Sequence, residues 1–251
     1  MRNAVLMAVY NQNDTQLDLT KKAYDSICAQ DVGDLELCIV NNGSTQPTVD
    51  WLNSLDMSNP KVHVYGAHYA KNVSPVLIIN KYMAELFTRH EYILGVPNDV
   101  ILPPNLYSQF LKWPRGIVTG SMTENRNFPL FDQSRAVSEC TPMAVALLRK
   151  WVYDALIARD GYFLDPRYYH YASDMDFALR ISTCGIRGIQ LDIQYFHQCS
   201  SSWRLLPPEK GKIITDQADR DRETFERVYG FKVDDPRYGI CAQDINFRGR
   251  R

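Results

Sequence analysis

Apolar positions in this chain come in short runs separated by polar turns and by stretches of helical spacing. Ala4 to Val9 is one such run. It ends at Tyr10-Asn11-Gln12-Asn13-Asp14, a cluster of turn formers, and so predicts a buried strand with its exit loop. Leu17 to Gln30 reads as the helix that follows. Leu35 to Val40 repeats the strand, and Asn41-Asn42-Gly43-Ser44 supplies small side chains suited to a tight turn. Val62 to Tyr65 gives a third strand. Val76 to Arg89, with Ile79, Met83, Leu86 and Phe87 near helical spacing, leads into a fourth run, Tyr92 to Val96, which stops where Pro97 withholds its ladder donor. Alternation of this kind predicts an α/β fold, a mainly parallel sheet with helices on both faces.

Beyond the Pro103-Pro104 break and a short helix near Asn105, the pattern loosens. Gly116 to Gly120 reads as a strand, whereas Ser121 to Ser138 is polar, aromatic and without period, a candidate acceptor surface. Met143 to Leu148 is apolar, Trp151 to Ala158 reads as a helix, and the aromatics between Gly161 and Tyr171 fit core packing. Asp174 to Arg180 opens a helix that closes at Cys184-Gly185, with Asp174 as N-cap and Gly185 as the C′ residue. Ile189 to Phe196 is a late strand ending at His197. Gln198 to Arg204 has the composition of a loop, and Thr215 to Tyr229 that of a charged amphipathic helix. The expected organisation is one domain over 1–200, with 201–251 as a small helical extension packed on it.

Composition narrows the class. A chain of 251 residues with 45% hydrophobic positions can bury a full core. Its 28 basic and 29 acidic residues give no global reason to expect nucleic acid or an anionic membrane as partner. The six cysteines are scattered without a C-x-x-C pair, which argues against a zinc site or a disulfide scaffold and fits a reduced, cytoplasmic setting. No apolar stretch approaches the roughly 18 residues a membrane span needs.

Asp99 is the first candidate for chemistry, because it sits just past the fourth strand. In open α/β sheets ligands collect at that carboxyl edge. The competing reading is a turn aspartate that caps the next helix.

Several ordered features resemble the family 2 glycosyltransferases with the GT-A nucleotide-sugar fold, over roughly the first two hundred residues. They are Val9-Tyr10-Asn11 after the first strand and Val40-Asn41-Asn42-Gly43-Ser44 where the family has V-D-D/N-G-S. Asn72, Asn80 and Asn98-Asp99 follow. Ser173-Asp174-Met175-Asp176 with Arg180 and Gly185 stands against E-D-x-D-x-x-x-R-x-x-x-x-G, and His197 closes the set. The resemblance implies that Val9, Tyr10, Asn11, Asn41 and Asn42 line the base and ribose of a nucleotide, with Asn98 and Asp99 also at the donor. An Asn side chain offers both a donor and an acceptor to a pyrimidine edge.

Asp99 stands where the family's D-x-D motif has its last aspartate, so the resemblance implies that it holds a Mg²⁺ or Mn²⁺ ion on the donor's diphosphate, with His197 as second ligand. Pro97 occupies the motif's first position, removing one carboxylate. Asp174 matches the general base that takes the acceptor hydroxyl's proton, and that geometry implies inversion. Asp176 is assigned to acceptor contact or to pairing with Arg180 at i, i+4. Ser173, Trp203 and Arg204 complete the expected acceptor residues.

The implied activity is transfer of a sugar from a nucleoside diphosphate sugar, a UDP-sugar, to a saccharide or other hydroxyl compound. An alternative acceptor is a hydroxylated base in DNA, motivated by Lys210, Lys212, Arg220, Arg222, Arg227 and the arginine-rich tail. The other alternative is a nucleotide-sugar binding protein without transfer activity, motivated by Pro97 and Ser173 at positions that are usually acidic.

Overall fold

The computed structural model describes residues 3–33, 35–55, 62–65, 69–123, 135–138, 144–198, 205, 206 and 208–233. In chain order the elements are β1 (Asn3–Val9), α1 (Asp14–Cys28), β2 (Leu35–Asn41), α2 (Gln46–Ser54), β3 (Val62–Tyr65), α3 (Pro75–Leu86), β4 (Tyr92–Gly95) and β5 (Val100–Ile101). They continue with α4 (Leu106–Leu111), β6 (Ile117–Thr123), β7 (Ala136–Ser138), β8 (Ala146–Arg149), α5 (Lys150–Asp160), α6 (Ser173–Thr183), β9 (Gly188–His197) and α7 (Pro208–Tyr229). One sheet runs β3-β2-β1-β4-β8-β6-β9-β5, with β7 paired to β9.

Period-two alternation along the central strands builds two cores, one on each face. Ala4 and Leu6 of β1 join Cys38 and Val40 of β2 in the core under α3, α5 and α6. Val5, Met7 and Val9 join Leu35, Leu37 and Ile39 in the core with α1 and α4. All seven residues of β2 are buried, as expected of a strand covered on both sides. Phe225 of α7 belongs to the first core, so the described part of the C-terminal extension packs on the same body as the sheet.

The four strands β3, β2, β1 and β4 are parallel. Past β4 the sheet turns mixed: β8 runs antiparallel to both β4 and β6, β9 is parallel to β6, and β5 and β7 are antiparallel to β9. The expected α/β fold of GT-A type, a mainly parallel mixed sheet with helices on both faces, is present, with its parallel strands gathered in the first half. A short apolar run is compatible with either strand direction, so the pattern of Met143 to Leu148 carried no sign of the reversal.

Helix ends follow local chemistry. Helix α1 starts three residues before the apolar spacing suggests, because Asn13 Oδ1 accepts the Gln16 N–H at 3.0 Å as an N-cap. Helix α6 closes as expected. The Ile186 N–H reaches Ile181 O, the Gly185 N–H reaches Ser182 O, and Gly185 takes φ 68°. This is a Schellman closure.

Candidate active site

Three strand ends make the first half of the site. The Val96 N–H still pairs with Leu6 O at 3.0 Å, then Pro97 ends the ladder and the chain turns through Asn98 and Asp99 into β5. Asn98 Nδ2 donates to Asn11 Oδ1 and to Thr20 Oγ1, both at 2.9 Å, and Thr20 Oγ1 donates to Asn11 Oδ1 at 3.1 Å. This cluster ties the ends of β1 and β4 to α1. Asn11 also donates its backbone N–H to Ser44 Oγ at 3.0 Å, while its own side-chain nitrogen is buried with no hydrogen-bond partner among the described residues. A buried amide donor left in that state costs about 1–3 kcal/mol, so an acceptor supplied by a ligand would be favoured there.

Next to it, Asn41 Oδ1 accepts the Ser44 N–H at 3.0 Å. Asn42 donates both amide hydrogens, to Asn72 Oδ1 at 2.7 Å and Val73 O at 2.9 Å, and accepts the Val73 N–H at 2.9 Å. Its side chain fixes segment 72–73 and has no donor left for a nucleotide. Val9 is buried in the core and meets this rim through its carbonyl, which accepts the Asn42 N–H at 2.7 Å. The Tyr10 phenol bonds to Asn72, and burial raises its pKa.

Strand β5 carries Asp99 to the end of β9. Val100 pairs with His197, and the Gln198 N–H donates to Asp99 O at 3.1 Å. Asp99 is 8% exposed, and its Oδ1 lies 3.3 Å from His197 Nε2. Adjacent ligands on an octahedral cation at about 2.1 Å lie about 3 Å apart, so this carboxylate and imidazole fit two neighbouring positions on one divalent ion. Among the described residues no group of three or more His, Cys, Asp or Glu side chains is arranged to hold a metal. Donor phosphates and water would have to complete such a site.

The second half of the site is the turn into α6. Asp174 is not the N-cap that the sequence suggests. Ala172 holds that place in the left-handed region at φ 57°, and Asp174 sits in the first turn, where its Oδ1 accepts the Met175 N–H at 2.9 Å. Asp174 keeps part of its surface accessible, yet burial raises its pKa against the pull of that N–H, of its own N–H and of His170. The start of a helix was expected to favour the anion; desolvation outweighs it.

Ser173 donates its hydroxyl to His170 O at 2.6 Å and is itself buried. Asp176 is 0% exposed, bonded to Arg180 Nε at 2.6 Å and to the Tyr229 hydroxyl at 2.7 Å. Contact with an acceptor is thereby excluded for Asp176, and the alternative, pairing with Arg180, is what the fold contains. Arg180 also reaches Asp160 at 3.0 Å and Phe163 O at 2.6 Å. Trp203 and Arg204 lie outside the described residues, as do 124–134 of the expected acceptor loop and the arginine-rich tail.

Two residues absent from the sequence reading connect the halves. The His170 side chain meets solvent, yet the protein around it depresses its pKa, while Asp174, Asp221 and Asp99 all pull it upward. Asp221 of α7, 1% exposed, accepts the backbone N–H groups of Tyr169, His170 and Tyr171 at 2.9, 2.9 and 2.8 Å. Its signal in the sequence was helical phase alone: Ala218, Asp221 and Phe225 share one face of α7 and are its buried residues.

The same helix gives little support for DNA. Lys212 pairs with Asp216 at 3.0 Å, Arg222 with Asp219 at 2.9 Å, and Lys210 is turned toward Gln12 at 2.5 Å. Among the described residues no helix is long and apolar enough to cross a membrane.

Residues 4–113 match the family model described as glycosyl transferase family 2. No curated protein matches the sequence. Among solved structures, a mannosyltransferase from Pyrobaculum calidifontis in complex with GDP-Man and Mn²⁺ superposes with a TM-score of 0.63 at 16% identity, over 98% of this chain and 69% of that one. Residues 1–349 of S. aureus TarS superpose with a TM-score of 0.53 at 16% identity, over 92% and 74%. The same protein in complex with UDP-GlcNAc gives 0.54 at 15%, over 93% and 74%. At these identities the likeness is one of fold, and the fold is GT-A.

Proposed function

We propose that this chain, which matches the glycosyl transferase family 2 model over residues 4–113, is a glycosyltransferase that moves a sugar from a nucleoside diphosphate donor to an acceptor hydroxyl with inversion, using Asp174 as general base. The observation that supports the reading is the Asp99 carboxylate held 3.3 Å from His197 Nε2 at the carboxyl end of the sheet, with Asp99 and Asp174 both pulling the His170 pKa upward. The two solved relatives hold GDP-Man with Mn²⁺ and UDP-GlcNAc, which supports a nucleotide-sugar donor here, a UDP-sugar in our reading.

Each group then has a task. The unpaired amide nitrogen of Asn11 donates to a carbonyl of the base, beside Asn41 and Tyr10. Asp99 and His197 would hold a Mn²⁺ or Mg²⁺ ion at the donor diphosphate, which would supply Lewis-acid stabilisation of the departing charge. Asp174 takes the proton of the attacking hydroxyl. A carboxylate whose pKa is raised by desolvation is a stronger base than a solvated one.

The test is slow donor hydrolysis. The protein is incubated with UDP-sugars and GDP-mannose in Mn²⁺, and free diphosphate is followed with and without hydroxyl acceptors. Release of UDP or GDP that disappears in Asp99→Ala is expected. Nucleotide-sugar binding without turnover for every donor and acceptor would overturn transfer as the function.

A further inference from the structure

We infer that helix α7 acts as a ruler setting the catalytic base against the donor loop, with Asp221 the positioning residue for Asp174; this rests on Asp174 being the base. Three polar residues along one side of α7 reach three parts of the site. Lys210 Nζ donates to Gln12 Oε1 at 2.5 Å, and Gln12 Nε2 donates to Asn11 O at 3.1 Å and Gly43 O at 3.0 Å, so the start of the helix grips the donor loops. Asp221 collects the three N–H groups before Ala172. The Tyr229 hydroxyl donates to Asp176 Oδ1, inside α6 itself. From 210 to 221 and from 221 to 229 is about three turns and then about two, roughly 16 Å and 12 Å of rigid rise.

Attachment of α7 alone does not require a buried carboxylate. Ala218 and Phe225 flank Asp221 on the buried face, and Phe225 is already in the core. An apolar residue at 221 would still pack the helix, but it would leave the N–H groups of 169–171 without the acceptor they now share. What Asp221 adds is direction. It holds three successive peptide planes of 169–171 in one orientation, and the next residue, Ala172, is then driven into the left-handed region that a side chain disfavours. The chain leaves that corner directly into α6, two residues before Asp174. The Ser74 hydroxyl on Tyr169 O at 2.6 Å and the Ser173 hydroxyl on His170 O complete the clamp.

The experiment uses the full chain with Asp221→Ala and Asp221→Asn, and Asp219→Asn as a control on the same helix, where the carboxylate is exposed and paired with Arg222. For Asp221→Ala the expected result is a kcat about 10–100-fold lower with the donor KM within about twofold, because a displacement of about 1 Å at the reacting centre costs that much. Asp221→Asn keeps one acceptor oxygen and should fall between it and wild type; Asp219→Asn should match wild type. Hydrogen exchange of the 169–171 amides should accelerate in Asp221→Ala while the amides of β1 and β2 stay protected. Should Asp221→Ala fail to fold, Asp221→Asn carries the test. Unchanged kcat with accelerated exchange, or kcat and donor KM lost in parallel, would overturn the positioning role. Full transfer by Asp174→Asn would instead overturn the base assignment, and the exchange measurement would still judge the clamp.

Discussion

The two halves of the candidate site, a proposed donor wall and a proposed base wall, are built by opposite strategies. The donor half stands on the ends of three adjacent parallel strands, and apart from Asp99 and His197 the polar groups named there are neutral amides and hydroxyls bonded to one another and to the flanking helix and loop: Asn11 with Asn98 and Thr20, Asn42 with Asn72 and Val73. Neutral groups can be buried at modest cost once paired, and the strands fix their positions. The base wall is an irregular loop leading into α6. It carries carboxylates, and it is fixed by side chains from far along the chain, Asp221 to 169–171 and Tyr229 to Asp176. Recognition of a nucleotide needs fixed shape; proton transfer needs a desolvated charge. The first can be assembled from local sheet geometry, whereas the second needs a tertiary brace.

The comparison breaks most visibly at Asp174. Asp174→Asn should reduce transfer by about 10²–10⁴-fold while donor KM changes less than about twofold, since only the base wall is touched. The pH dependence has a definite sign. Burial raises the Asp174 pKa, so activity should fall as pH drops through a value above the ordinary aspartate range, and that acidic limb should vanish in Asp174→Asn. Stability moves the other way. A carboxyl whose folded pKa is raised above its unfolded value weakens the fold at neutral pH, a penalty relieved as pH falls through the folded pKa. Asp174→Asn should therefore melt at or above the wild-type temperature, and a lower melting temperature with a parallel loss of donor binding would mean the residue serves the fold instead.

How much of this was legible in the chain follows the same division. The strand ends that frame the candidate donor half could be read, because strands ending in polar turns leave local marks: the apolar runs before Tyr10 and Asn41, the proline after Val96, and Gly43 in the turn. Asp99 and His197 were named, but not the two-residue strand β5 that joins them, since two residues carry no period. Helix α2, with Thr45 as cap and Pro47 in its first turn, was also passed over. On the base wall the sequence marked Asp174, yet it misplaced the cap, because nothing local announces an alanine at positive φ. Asp176 could be seen at i, i+4 from Arg180, but its complete burial depends on Tyr229, more than fifty residues away. Asp221 looked like one of many charges on a solvated helix.

Two left-handed residues sharpen the contrast at smaller scale. Gly43 on the donor wall has φ 78°, and a Cβ there would sit 2.4 Å from Lys71 C and 2.5 Å from Asn72 N. Gly43→Ala combines that backbone clash with the left-handed penalty, so a loss of about 3 kcal/mol is expected, roughly 6–12 °C in Tm, with weaker donor binding as Asn72 is pushed from Tyr10. Ala172 on the base wall has φ 57° and already contains the strain. Ala172→Gly relieves about 1–2 kcal/mol of it but loses about 0.8 kcal/mol for the buried methyl and about 0.5–1 kcal/mol to the entropy of the unfolded chain. The net change in stability should stay within about 1 kcal/mol. Because the glycine relaxes the corner that Asp221 imposes, kcat should fall a fewfold with donor KM unchanged. An Ala172→Gly protein as active as wild type would mean the strained corner is incidental to catalysis and that the base wall is held by the hydrogen bonds alone.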